Sequence, residues 1–162
     1  MTKNALMIAN GNPYSVAYIK GNNENKNLKG TVEFFPWSTG SIIKLEILGL
    51  PVNNDNSFFG FHIHENSDCK IEENKPPFES AGKHYDIDEN IHPNHTGDLP
   101  LIYSNKGYSF MLYYTNRFTP EQVVGKSIII HKMADDLKTD PSGNSGERIA
   151  CGTIIRRRWM FA

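Results

Sequence analysis

Apolar and polar residues alternate along this chain in short, β-branched runs set apart by clusters of Gly, Pro, Asn and Asp, the signature of an all-β fold. Residues 41–48 are representative: Ile42, Ile43, Leu45 and Ile47 interleave with Lys44 and Glu46. Similar runs occupy residues 14–20, 28–37, 58–65, 107–115, 126–132 and 149–157. A weaker one at 99–104 brings the expected total to eight strands. Residues 21–27 and 49–56 read as turns. The one helical hint is Thr119-Pro120-Glu121-Gln122, a capping residue followed by proline at the first helical position. It predicts a single turn.

Two stretches lack strand periodicity, residues 66–98 and 132–148. Long connections of this kind inside a compact domain are usually functional or disordered. The first holds three of the six histidines and one of the two cysteines, so ordering by metal and disulfide is the expectation.

Size and charge narrow the picture further. A length of 162 residues predicts one domain spanning 1–162, large enough to bury a substantial core. With 17 basic and 18 acidic residues, the net charge of -1 gives no reason to expect nucleic acid or an anionic membrane as partner. The longest apolar stretches, such as Ser127-Ile128-Ile129-Ile130, are strand-sized. Arg156, Arg157 and Arg158 fall short of a lipid-recognition cluster. The opening residues lack the apolar core of a secretory signal, which reads as a cytoplasmic chain or a processed form with a starting methionine. Cys69 and Cys151 allow one intrachain disulfide and pull towards an oxidising compartment.

The histidines decide the chemistry. On a strand, His62 and His64 project to one face while Ile63 packs on the other, although a strand edge with two histidines has the same pattern. His92, His95 and Asp98 are spaced for a tight turn around zinc, and His84 would complete three imidazoles and a carboxylate. A polar surface loop would use Pro93 and Gly97 equally well. His131 closes an apolar run, where a buried core histidine is the commoner occupant. Together they use all six histidines of the chain.

Four segments then carry a resemblance: Phe61-His62-Ile63-His64-Glu65, Ser80-Ala81-Gly82-Lys83-His84, His95-Thr96-Gly97-Asp98-Leu99-Pro100 and residues 143–152 with Arg148 and Cys151. They resemble the copper/zinc superoxide dismutase family, bacterial members above all, in order from about Tyr14 to Ile155. The resemblance implies an eight-stranded, immunoglobulin-like Greek-key β-sandwich or barrel with a long metal-binding loop and a shorter electrostatic loop. It implies copper on His62, His64, His84 and His131, and zinc on His84, His92, His95 and Asp98, with His84 shared as the bridge. Asp135, with Asp136 as competitor, would link a copper histidine to a zinc histidine. Arg148 would hold the substrate anion, and Cys69–Cys151 would be the family's disulfide. The substrate would be superoxide, disproportionated by copper redox cycling beside a structural zinc, in a local positive field to which Lys132 and Lys138 are candidate contributors. A homodimer is left open. A catalytically silent metal-binding relative is the competing expectation; a copper-only relative is disfavoured by the intact His92, His95 and Asp98.

Overall fold

The computed structural model describes residues 5–52 and 57–157. Residues 1–4, 53–56 and 158–162 lie outside it, and with them part of the expected 49–56 turn and Arg158. A short helix, α1 (Ala5–Ala9), precedes strands β1 (Ser15–Gly21), β2 (Lys29–Trp37) and β3 (Gly40–Leu48). Then follow β4 (Phe58–Phe59), β5 (Phe61–His64), β6 (Ile102–Tyr103), β7 (Tyr108–Thr115), β8 (Ser127–His131) and β9 (Arg148–Arg156). Seven of these form one curled antiparallel sheet in the order β5-β8-β9-β1-β2-β3-β7, and β4 pairs with β6. The all-β fold expected from the alternation is therefore present, and the curled sheet fits the β-sandwich or barrel that the resemblance implies. Among the described residues, no helix is long and apolar enough to cross a membrane.

Register explains how the core closes. Val32 lies opposite Leu45 and Phe34 opposite Ile43, while Phe61 faces Ile130 and Ile63 faces Ile128. All eight point into one buried cluster, joined by Phe118, whose ring stands 6.3 Å from that of Phe34. Each such side chain contributes roughly 1.5–3 kcal/mol when taken out of water. Because side chains alternate, burying Phe61 and Ile63 turns His62 and His64 to the opposite face of β5. The core thus aims the H-x-H pair.

The elements differ from expectation in three places. The expected strand at 58–65 breaks at Gly60 into β4 and β5, because the Gly60 backbone pairs with Met133 and His131 rather than continuing along one neighbour. Residues 119–126 form successive turns instead of a helical turn. There the Gln122 side chain accepts from the Thr119 backbone at 2.7 Å, and the Pro120 carbonyl accepts from Ser15 Oγ at 3.4 Å. Helix α1 had no counterpart in the strand pattern; Ile8 and Ala9 pack on Phe35, Trp37, Ile42 and Leu112, covering the outer face of β2, β3 and β7.

The long 66–98 connection is ordered by the Cys69–Cys151 disulfide and one 3₁₀ turn at Glu79–Ala81. Phe78 and Ala81 pack against Ile129 and Cys151 in a satellite cluster that includes Cys69. The cross-link closes 82 residues, worth roughly 4–5 kcal/mol by the chain-entropy model. Reduction is expected to lower Tm by about 10 °C or more, and to lower metal retention with it. Calorimetry and metal analysis of the reduced, metallated protein check this; an unchanged melt with full metal retention would remove the role.

Candidate metal centre

The loop from Lys83 to Asp98 is laced along the free edge of β5. Glu65 N donates to Lys83 O, Tyr85 N to Ile63 O and Ile63 N to Gly97 O, all within 3.0 Å. This pairing sets His84 against His64 and Asp98 against His62. Gly97 is demanded by the close approach, since a Cβ there would overlap the Ile63 carbonyl oxygen. His131 arrives from β8, the strand on the other side of β5.

These elements bring together two ligand sets, His62, His64, His84 and His131, and His84, His92, His95 and Asp98, each with donor atoms within 4.8 Å of one another. All eight distinct sites the sequence singled out for the ligands and their link, His62, His64, His84, His92, His95, His131, Asp98 and Asp135, are no more than 9% exposed.

Hydrogen bonding fixes which nitrogen of each ring is free. His64 Nδ1 donates to the Gly82 carbonyl at 3.0 Å and His131 Nδ1 to the Gly146 carbonyl at 3.1 Å. A carbonyl can only accept, so both Nε2 atoms keep their lone pairs. Asp135 accepts from His62 Nε2 at 2.7 Å and His92 Nε2 at 2.9 Å, leaving Nδ1 free on each ring. The buried nitrogens without a partner are His62 Nδ1, His64 Nε2, His84 Nε2, His92 Nδ1, His95 Nδ1 and His131 Nε2, one from every histidine. Four of the rings, those of His62, His64, His92 and His131, are oriented by partners outside the ligand sets and left with a free nitrogen, the arrangement of metal-ligating imidazoles.

The donor chemistry matches two different ions. Four imidazoles suit copper, and three imidazoles with a carboxylate suit zinc. Asp98 oxygens lie 2.7 Å from His84 Nδ1, 3.2 Å from His92 Nδ1 and 3.1 Å from His95 Nδ1. Tetrahedral ligands about 2.0–2.1 Å from zinc stand roughly 3.3 Å apart. His84 belongs to both groups; its Nδ1 faces Asp98, its Nε2 has no hydrogen-bond partner, and its ring is 4.0 Å from that of His62. The clusters could bind copper and zinc.

Of the two candidate aspartates, Asp135 makes the link. Asp136 instead accepts from the Thr139 hydroxyl at 2.6 Å and from Asn144 Nδ2 at 3.0 Å, closing the 132–148 loop on itself. Gly143, at φ +62, passes so close that a Cβ would collide with the Asp135 carboxylate. Arg148 opens β9 and donates to the Phe78 carbonyl at 2.6 Å and the Gly82 carbonyl at 2.7 Å. The Gly82 oxygen therefore serves both Arg148 and His64. The disulfide-pinned segment presents it.

An open cleft of about 660 Å³ leads to the centre, lined by His64, His84, His95, His131 and Arg148. Its charged lining includes Lys83 and Arg148 but also Glu65, Asp86 and Glu89. Neither Lys132 nor Lys138 lines it, and Lys132 is paired with Glu147 at 2.9 Å. The side chains lining the cleft are thus mixed in charge. Sequence reasoning passed over Lys83, Glu65 and the two glycine carbonyls; Lys83 stood inside a quoted segment, whereas a carbonyl's partner has no signature in residue type.

Burial pushes the His64 and His131 imidazoles well below their usual range and takes His84 down to about 4. Burial alone would raise Asp135, but hydrogen bonds from His62, Leu137 and His92 pull it below the carboxylate range. Free histidine titrates near 6.5. Between about 6.5 and 4 the unfolded metal-free chain binds protons that the folded one refuses, so stability falls as pH falls. Above about 6.5 these rings are neutral in both states and contribute no slope. The urea midpoint of metal-free protein is therefore expected to stay level from pH 9 to 7 and drop progressively from pH 6.5 to 4. A level midpoint down to pH 5 would contradict this.

Comparisons with known proteins agree with the geometry. A sequence model of the family described as copper/zinc superoxide dismutase (SODC) matches residues 28–154. Superoxide dismutase (Cu-Zn) 2 of Aquifex aeolicus is 35% identical over 140 residues, 77% of this chain and 78% of that one. The copper/zinc superoxide dismutase of Deinococcus radiodurans is 35% identical over 142 residues, 77% and 76% of the two chains. A solved structure of a SOD-like protein from Bacillus subtilis, a double mutant with two histidines introduced, aligns with a TM-score of 0.71. It is 29% identical and covers 86% of this chain and 96% of that one. With the family model covering most of the sequence, this chain belongs to the copper/zinc superoxide dismutase family.

Proposed function

We propose that the chain is an active superoxide dismutase, with copper on His62, His64, His84 and His131 and zinc on His84, His92, His95 and Asp98. The observation that carries this reading is the set of six buried ring nitrogens without a partner, one per histidine and all directed into two adjoining groups. Six unsatisfied buried acceptors, each costing about 1–3 kcal/mol, support metal binding; what favours turnover over a silent metal-binding relative is that the copper-set histidines and Arg148 are all retained. Bound copper would supply one-electron exchange between two valences while zinc, without accessible redox chemistry, holds the shared histidine.

The overall reaction takes two superoxide anions and two protons to oxygen and hydrogen peroxide. Arg148 attracts and orients each anion at the cleft floor; its guanidinium remains cationic at any working pH. The carbonyls of Phe78 and Gly82 hold it in position. His84, whose Nε2 is left without a hydrogen-bond partner, would take up a proton there and pass it to the reduced product. Asp135 holds Nε2 of His62 and of His92 so that both rings keep their orientation through turnover.

The competing reading is a metal-binding relative without turnover. A relative named Superoxide dismutase-like protein YojM from Bacillus subtilis is 34% identical over 113 residues, 59% of this chain. Copper and zinc analysis beside a superoxide-decay assay on one preparation separates the two. We expect one copper and one zinc per chain with rapid decay; loaded protein that leaves superoxide to its spontaneous rate would sink the enzymatic reading. Arg148→Ala should slow decay about tenfold or more, the effect of losing a charged partner, with both metals retained. Arg148→Lys should recover part of the rate. With a mixed-charge cleft, salt should change the wild-type rate only weakly, measured by pulse radiolysis across ionic strengths.

A further inference from the structure

Residues 93–95, between two zinc-set histidines, form a turn with little behind it. Asn94 and the preceding Ile91 are exposed. A cavity of about 320 Å³ opens beside the turn, lined by Pro93, Asn94, Asp98, Asp135 and Arg117 among others. Among the described residues, the hydrogen bonds reaching residues 93–95 from outside the loop come from Arg117 alone: Nη1 donates to Pro93 O at 3.0 Å and to His95 O at 2.7 Å. No carboxylate pairs with this guanidinium among the described residues, so its donors are committed to backbone oxygens.

Arg117 has a firm base. It sits just past β7, where its backbone N–H donates to Thr115 Oγ1 at 3.2 Å. The next residue, Phe118, is 1% exposed in the main core, and its carbonyl accepts from Ser41 Oγ at 2.9 Å. The guanidinium is thus a strut running from the sheet to the turn. By clamping two carbonyls that flank Asn94, it sets the separation of His92 and His95, whose rings stand 5.8 Å apart. His92 has a second support, its backbone N–H donating to Asp140 Oδ1 at 3.1 Å. His95 has no support of this kind from another loop.

We propose that Arg117 is a positioning residue for the zinc half of the centre, acting through the backbone of the turn that carries His92 and His95. The proposal rests on reading His84, His92, His95 and Asp98 as the zinc set. The effect belongs to one ion: the four-imidazole set has one member on the supported loop, His84, and that residue is fixed by pairing with β5.

The test uses copper- and zinc-loaded protein, and a second preparation with cobalt in the zinc position. Arg117→Ala should release zinc to a chromogenic chelator roughly 10- to 100-fold faster, the usual penalty for losing an outer support. Copper release should stay within about twofold, and the visible bands of bound cobalt should shift as the ligand geometry loosens. Arg117→Lys, with one ammonium able to reach one carbonyl at a time, should fall between wild type and alanine. Melting of the metal-free variants should be unchanged, which separates positioning from general stability. Zinc release and cobalt bands equal to wild type would overturn the proposal. So would equal acceleration of copper and zinc loss, which marks a general brace. Wild-type protein that binds no zinc would instead overturn the zinc reading beneath it.

Discussion

The centre depends on a conflict between burial and hydrogen bonding. The core-facing side chains of β5 and β8 drive the sheet closed, and in doing so they bury His62, His64 and His131 on its other face. Each ring donates one N–H outward to an oxygen and turns a bare lone pair inward. Protons could relieve the deficit, but burial and mutual repulsion among the imidazoles keep His64, His84 and His131 neutral. A cation with several coordination sites is the remaining remedy. The hydrophobic effect builds the scaffold, and the scaffold leaves an electron-pair surplus suited to metal.

The support of that centre is distributed over backbone oxygens more than over side chains. Gly82 O serves His64 and Arg148 together, and Gly146 O serves His131. The disulfide, the satellite cluster around Phe78 and the 3₁₀ turn determine where Gly82 lies. A covalent bond remote from both side chains thus bears on the orientation of His64 and the reach of Arg148. Asp135 does the corresponding work between the two metal sets, and Gly143 leaves it the room.

Much of this was legible in the order of residues. Residues 41–48 alternate because one face of β3 is buried, and the same rule turned His62 and His64 together away from Ile63. The ligand sets were legible because each combines residue types that have few other reasons to gather. Other features were not. Gly60 breaks a strand through the pairing of its backbone with β8, a tertiary event invisible in a run of apolar residues. Helix α1 is five residues long, too short for periodicity, and owes its position to Phe35, Trp37 and Ile42. The resemblance favours Asp135 over Asp136, and the loop geometry supplies the reason: Asp135 reaches His62 and His92 while Asp136 turns back on its own loop. Arg117 looks like any surface cation until the turn it clamps is brought beside it.

The lacing of residues 83–98 onto β5 has a further consequence for the chain's solubility. β5 ends its sheet, and an end strand with bare N–H and C=O groups is a template for joining another molecule's strand. Here the loop itself occupies those groups, from Glu65 N through Ile63 to the Gly97 carbonyl. The residues that close the edge also carry His84 and Asp98, so whatever keeps those side chains engaged keeps the edge capped. Metal occupancy and resistance to strand-to-strand aggregation are thereby two readings of the same backbone contacts.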